Sequence, residues 1–294
     1  MVHKGKLAEL EIPQIVELML GRKMEEEFPK YQIDAGDVML KVENLNSAGG
    51  EIHDISFYVR RGEIIGIAGL VGAGKSELCK TLFGDMKASS GQITLNGKPL
   101  HFKNPCQAVR DGIALVPEER RKEGIMVNAP VYSNLTAASL DRFCNKIQFI
   151  KKKQERIASR KVIEDLGIKT PNDYRLVKYL SGGNQQKVAI GKWLIADADV
   201  YIFDEPTKGI DVGAKSDVYE LIGQLAKRGK CVVYASCESA EILGITDRVY
   251  VMYDGTISKE LETAKTSESE ILYYSIGGAS NEHAQQEKAE LKFV

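Results

Sequence analysis

The run Ile64-Ile65-Gly66-Ile67-Ala68-Gly69-Leu70-Val71-Gly72-Ala73-Gly74-Lys75-Ser76 decides how this chain is read. A short apolar stretch suited to a buried strand leads into a glycine-rich turn of the pattern GxxxxGK[ST], and Glu77 to Phe83 continues as a helix. Glycines let a backbone wrap a polyphosphate with its N–H groups pointing inward. The helix N-terminus adds a favourable partial charge, worth about 0.3–1 kcal/mol and up to about 2 when partly buried. Gly69, Gly72, Ala73, Gly74, Lys75, Ser76 and Glu77 are therefore the expected phosphate cradle. Lys75 is placed to reach the β- and γ-phosphates, and the Ser76 hydroxyl to bind Mg²⁺.

Two further segments belong with it. Val200-Tyr201-Ile202-Phe203-Asp204-Glu205 is an apolar strand ending in two carboxylates. At the carboxyl end of a parallel strand they would lie beside the cradle, Asp204 holding Mg²⁺ through water and Glu205 polarising the attacking water. Leu180-Ser181-Gly182-Gly183-Asn184-Gln185-Gln186-Lys187 opens a helix running to about Ala196 with a polar cap and two glycines. This is a second anion-seeking helix start. A helical insertion separates it from the cradle, so it is expected to serve a nucleotide on another subunit.

In this order the three segments resemble the ATP-binding-cassette (ABC) ATPases over roughly residues 37–260. Gly69 to Ser76 match Walker A, Leu180 to Gln185 the signature, Val200 to Glu205 Walker B, and Gly209-Ile210-Asp211 falls at the D-loop. The resemblance implies an α/β P-loop NTPase core with a mostly parallel sheet, antiparallel elements near the N-terminal part and an inserted helical subdomain. It implies ATP and Mg²⁺ as ligands, and a head-to-tail dimer with each ATP between one Walker A and the partner's Ser181, Gly182 and Gly183. Asp211 joins the expected nucleotide-binding set through the D-loop.

LSGGNQQKV, DEPTKGIDVGAK, EILGITDRVYVMYDG and Val116-Pro117-Glu118-Glu119-Arg120-Arg121-Lys122-Glu123-Gly124 narrow the match. They are similar to the second ATPase half of bacterial monosaccharide importers, in which one polypeptide carries two cassettes. Ile15 to Met24 resembles the linker helix between those halves. The resemblance implies another cassette as partner (a first half or a second copy), membrane permease subunits, indirectly a sugar-binding protein, and a peripheral place on the cytoplasmic face of the cell membrane. A purine-nucleoside importer is an alternative, as is a nucleotide-binding regulatory module with negligible hydrolysis.

Three positions depart from the family pattern. Glu118 replaces the Q-loop glutamine, and could still bind Mg²⁺ or a water. Cys237 stands where the switch histidine would contact the γ-phosphate; such a positioned group is typically worth 10²–10⁴-fold, or roughly 3–5 kcal/mol of barrier. The segment LNSAGGEIHD lacks the adenine-stacking aromatic, and His53 is read mainly as a loop residue. Lys75, Glu205 and the signature are intact. The expectation is an asymmetric motor half, slow at its own site and competent in what it lends.

The rest of the chain bounds this reading. Over 294 residues, 40 Lys and Arg balance 41 Asp and Glu, which argues against a broad basic nucleic-acid surface and against a cassette acting on ribosomes or DNA. The longest apolar run, Ile64 to Ala73, is far short of the roughly 20 residues a spanning helix needs. The charged first residues do not resemble a secretory signal. Five scattered cysteines form no CxxC pair, and no histidine has metal-ligand spacing with them.

Ile12, Ile15, Val16, Met19 and Leu20 recur at helical period; the resemblance then implies 1–35 as a linker helix segment and 36–275 as the ATPase domain, and 276–294 is read as a polar tail. Runs at Leu40–Val42, Ile55–Val59, Ile64–Ala68, Ile113–Val116, Val200–Phe203, Val232–Ala235 and Val249–Met252 predict strands of the parallel core. About 120–180 is the expected helical subdomain. There the helix Lys151–Leu166 should bury Ile157, Val162, Ile163 and Leu166, and keep Lys151 to Lys153, Arg156, Arg160 and Lys161 as a solvated basic face. Trp193, Tyr273 and Tyr274 are read as packing residues.

Overall fold

Four strands are buried at every residue: β3 (Ile64–Ala68), β6 (Ile113–Val116), β7 (Val200–Asp204) and β8 (Cys231–Ser236). Such strands suit a parallel sheet covered on both faces. In the computed structural model, which describes Phe28 and residues 35–278, they form that sheet in the order β10-β9-β3-β8-β7-β6. The predicted linker helix at Ile12–Leu20 and the tail beyond Gly278 lie outside the described residues. β9 (Arg248–Tyr253) runs parallel to β3, and β10 (Thr256–Glu262) closes the edge antiparallel to β9. The register matters for chemistry: Ala68 pairs with Ser236, and Asp204 with Ala235. The chain therefore leaves β3, β7 and β8 along one row at the sheet's carboxyl edge.

The first two predicted strands join a different sheet. β1 (Val38–Ser47), β2 (Ile55–Arg60), β4 (Ala88–Leu95) and β5 (Lys98–Leu100) form an antiparallel sheet in the order β2-β1-β4-β5. Burial along β2 alternates, with Ile55, Phe57 and Val59 inward and Ser56 exposed. That is the period-2 pattern of a strand covered on one face, and it corrects the parallel reading of this run.

Helix α1 (Lys75–Leu82) follows the Gly69–Gly74 turn, and α2 (Pro105–Arg110) precedes β6. Between residues 120 and 180 the chain is helical in pieces, chiefly α3 (Val131–Thr136) and α4 (Lys152–Asp165). Val131, Leu135, Val162, Ile168 and Val177 form a second apolar cluster there with Val188 and Ala189 of α5 (Gly182–Ala196). Helix α4 buries Val162 and packs Ile163 and Leu166 on this cluster, as predicted, but not Ile157. Ile157 is 60% exposed, whereas Glu155, Ser159 and Val162 face inward. At about 100° per residue these three share a face, and Ile157 lies well off it. Thr136 Oγ1 donates to Glu155 Oε1 at 2.9 Å, which satisfies the buried carboxylate. Arg156 and Arg160 bind Asp173 at 2.6 and 3.1 Å, so only part of the basic face is left to solvent.

Helices α6 (Val212–Lys227), α7 (Ser239–Ile245) and α8 (Glu268–Ser275) complete the order. Trp193 is buried, edge-on to Phe83 at 5.7 Å, and Tyr274 packs on the core, while Tyr273 is 41% exposed. All five cysteines are free thiols.

Candidate functional site: a phosphate cradle and a separate helix start

Gly74 caps α1 at φ 97°, a backbone region that glycine enters at little cost, and a Cβ there would lie 3.2 Å from Glu51 O and from Gly255 Cα. The glycine thus lets the cradle close against the turns at 51 and 255. Gly72 is exposed on the rim and Ala73 buried beneath it, while Glu77 sits in the first turn of α1. His53 lies on the same side. Its backbone N–H donates to Gly255 O at 2.9 Å, and its ring packs beside Gly255.

Lys75 is only 5% exposed, and its Nζ donates to the carbonyls of Gly69 and Leu70 at 2.9 and 3.1 Å. The same Nζ is 3.0 Å from Cys237 Sγ and 3.8 Å from Glu205 Oε1. Ser76 Oγ donates to Asp204 Oδ1 at 3.0 Å. Burial pushes the Asp204 carboxyl up to about 6; the Ser76 hydrogen bond opposes this, and the charges of Glu118 and Glu205 add to it. The excess negative charge and the oxygen donors Ser76 and Asp204 fit a Mg²⁺ ion bound together with phosphate. Among the described residues no group of three or more His, Cys, Asp or Glu side chains could hold a metal by itself.

Glu205 ends this row at φ 45°, a left-handed conformation that costs a non-glycine residue about 1–3 kcal/mol. It is held from both directions. Its N–H donates to Ala235 O at 2.9 Å, and its Oε1 accepts from the Cys237 N–H at 2.7 Å. Burial raises the Cys237 thiol above its ordinary range, with Lys75 pulling the other way, so the thiol stays protonated at neutral pH. Glu118 pairs with Lys208 Nζ at 2.5 Å. Lys208 is a partner that sequence reasoning missed, since 90 positions separate the two and no motif links them.

The signature lies elsewhere. Ser181 is exposed and caps α5, its Oγ accepting from Asn184 N–H at 3.4 Å and from Asn184 Nδ2 at 2.8 Å. A Cβ on Gly183 would meet Ala214 Cβ at 2.5 Å, so this glycine lets α5 close on α6. Asp211 caps α6, its Oδ1 accepting from Ala214 N–H at 3.0 Å. Arg120, also missed from sequence, donates to Lys208 O and Gly209 O at 2.9 and 3.3 Å and flanks Gly182. Among the described residues no hydrogen bond joins Ser181–Gly183 to Gly69–Ser76. The structure thus brings Lys75, Ser76, Asp204, Glu205 and Cys237 together, and keeps Ser181, Gly182, Gly183 and Asp211 as a second group.

The chain is similar to known proteins. The family model described as ABC transporter matches residues 52–208. The chain is 41% identical to the "Ribose import ATP-binding protein RbsA" of Clostridium tetani over 94% of its own length and 54% of that protein. It is 42% identical to the "Galactose/methyl galactoside import ATP-binding protein MglA" of Shigella boydii, over 90% of this chain and 53% of that one. The chain thus spans about half the length of the curated relatives it matches. Among solved structures, a nucleotide-free ATP-binding cassette from an ABC transporter aligns with a TM-score of 0.70 at 24% identity, over 82% of this chain and 100% of that one. A dimeric bacterial ABC transporter cassette aligns at 0.67 and 18% identity, over 76% and 99%. At these identities the structural likeness concerns the fold.

Proposed function

The chain belongs to the ABC transporter family, and on that premise we propose that it is the second nucleotide-binding cassette of a monosaccharide importer. It binds ATP with Mg²⁺, hydrolyses it slowly at its own site, and completes a partner cassette's site with its signature. The observation that carries this is the split between two groups of residues. Cradle, carboxylates and switch position converge on one edge, while the exposed start of α5 makes no hydrogen bond to the cradle among the described residues. A phosphate-binding helix start that does not meet its own chain's cradle supports sharing of each ATP between two cassettes. The names of the relatives, ribose and galactose/methyl galactoside import, support the sugar.

In the mechanism, the backbone of Gly69–Ser76 and Lys75 hold and neutralise the β- and γ-phosphates. Lys75 exchanges the carbonyls of Gly69 and Leu70 for phosphate oxygens. Ser76 and Asp204 would hold Mg²⁺, which when bound supplies charge neutralisation at the phosphates. Glu205 accepts the proton of the attacking water, and positioning with charge neutralisation lowers most of the barrier. Cys237 contacts Lys75 as a neutral thiol and brings no imidazole to the γ-phosphate, which makes the site slow. Glu118, compensated by Lys208, takes the Q-loop position, and the groove near it would couple the cassette to a permease.

Among the described residues no helix is long and apolar enough to cross a membrane. The proposed place is the cytoplasmic face, held by permease subunits that a sugar-binding protein serves. Cys237 also favours a second reading, a regulatory module that closes on ATP and hydrolyses negligibly. Steady-state phosphate release by the chain mixed with a first-half cassette separates the two. A share of that release removed by Glu205→Gln in this chain supports a slow enzyme; release in the mixture wholly insensitive to Glu205→Gln supports the regulatory module. A purine nucleoside replaces the sugar if nucleoside, and not monosaccharide, stimulates the assembled transporter.

A further inference from the structure

Of the buried carboxylates outside the cradle and its Walker B strand, Glu241 is the least exposed among the described residues. Glu241, in the first turn of α7, is 1% exposed and sits where four segments meet. Its Oε1 accepts from Lys215 Nζ at 2.8 Å and from Tyr219 OH at 2.7 Å, both on α6. Its Oε2 accepts from Tyr234 OH at 2.6 Å and from Ser236 Oγ at 3.1 Å, both on β8. Thr207 Oγ1 stands 2.8 and 2.9 Å from the two oxygens. Burial opposes the charge, but these donors outweigh it and hold the carboxyl below its ordinary range.

Two of these donors lie in or directly border the loops that carry the reactive groups. Thr207 lies two residues beyond Glu205. Ser236 immediately precedes Cys237, and its Oγ also accepts from Glu238 N–H at 3.0 Å. The two loops then meet again at the site itself, through the Cys237 N–H and Glu205 Oε1. We infer that Glu241 is a positioning residue for hydrolysis: by binding Thr207 and Ser236 with one carboxylate it fixes the loop of Glu205 against the loop of Cys237, and so sets where the water-polarising carboxylate points. The inference rests on the proposed role of Glu205. Tyr219 and Tyr234 bind the same carboxylate from the helix and the strand, and anchor it in the core.

That division of donors supplies the test. Thr207→Val and Ser236→Ala remove loop donors, whereas Tyr219→Phe and Tyr234→Phe remove core donors. The full chain is assayed for single-turnover hydrolysis of ATP, for Tm, and for alkylation of Cys237 by iodoacetamide resolved at the peptide level. Cys237 is exposed, so its alkylation reports loop position without requiring turnover. The loop variants together are expected to slow hydrolysis about tenfold, within the range a misplaced catalytic group costs. They should change Cys237 alkylation severalfold and leave KM for ATP within about twofold. The core variants should lower Tm and leave rate and alkylation within about twofold of the parent. The inference is overturned if rate follows Tm across all four variants, or if the loop variants match the parent in both readouts while Glu205→Gln stops hydrolysis. If Glu205→Gln itself leaves hydrolysis unchanged, the proposed role of Glu205 fails, and the inference built on it fails too.

Discussion

Cys237 Sγ lies 3.0 Å from Lys75 Nζ, so the side chain at the proposed switch position touches the lysine of the proposed phosphate cradle. A neutral thiol there can accept from Lys75, but it cannot do what an imidazole does at a γ-phosphate. Cys237→His is therefore expected to raise phosphate release at the chain's own site by at least about tenfold, less than the 10²–10⁴-fold that an optimally positioned acid–base group typically contributes. The check is single-turnover hydrolysis by the purified chain. An unchanged rate would show that Cys237 is not what makes the site slow.

Asp204 sets a pH dependence. Its carboxyl is raised by burial to about 6 from the ordinary 3.8, so in that window the folded chain binds a proton that the unfolded chain has released. Stability of the nucleotide-free, metal-free protein should fall as pH rises through this window, and the full penalty should be present above about 6. Asp204→Asn is expected to stabilise that form at pH 7 by about 2–3 kcal/mol, because each tenfold rise in proton affinity on folding corresponds to about 1.4 kcal/mol. The gain should shrink toward pH 4, while ATP turnover is lost at every pH. Urea unfolding at several pH values checks it, and a gain that is constant with pH would refute the burial argument.

Gly183 is the contact where α5 closes on α6. Since a Cβ would stand 2.5 Å from Ala214 Cβ, Gly183→Ala must push the helices apart or shift Ala214. Overpacking of this kind costs about 1–3 kcal/mol. A lower Tm is expected, together with loss of the stimulation that the signature gives a partner cassette. ATP binding to the chain's own cradle should be unchanged in an equilibrium titration, because no hydrogen bond among the described residues joins the two groups.

Much of this was legible in the sequence, for physical reasons. The apolar runs of β3, β6, β7 and β8 could be read because strands buried on both faces tolerate few polar residues. The glycine-rich turn between β3 and α1 could be read because glycines at a strand-to-helix turn have few other uses. Hairpins β4–β5 and β9–β10 were missed although Asn96-Gly97 and Asp254-Gly255 carry the two-residue turn signal; their φ values of 50° and 75°, and 45° and 73°, are all positive. β4, β5 and β10 lack the apolar runs used to find strands, whereas β9 was read from Val249–Met252 without its antiparallel partner. In α4 the expectation for Ile157 failed because a hydrogen-bonded Glu155 and Ser159 occupy the buried face, and hydropathy alone gives that face to isoleucine. Lys208, Arg120 and Glu241 could not be found from sequence, since each acts through a tertiary contact with no local pattern.

The central claim is asymmetry: this cassette is slow at its own site and essential to its partner's. The direct test is phosphate release by the chain alone and mixed with a first-half cassette from a related importer, beside Ser181→Arg and Glu205→Gln. The account predicts activity mainly in the mixture, abolished by Ser181→Arg and barely altered by Glu205→Gln. If the chain alone matches the mixture in rate and Glu205→Gln stops it, the cassette is instead a self-sufficient homodimeric motor.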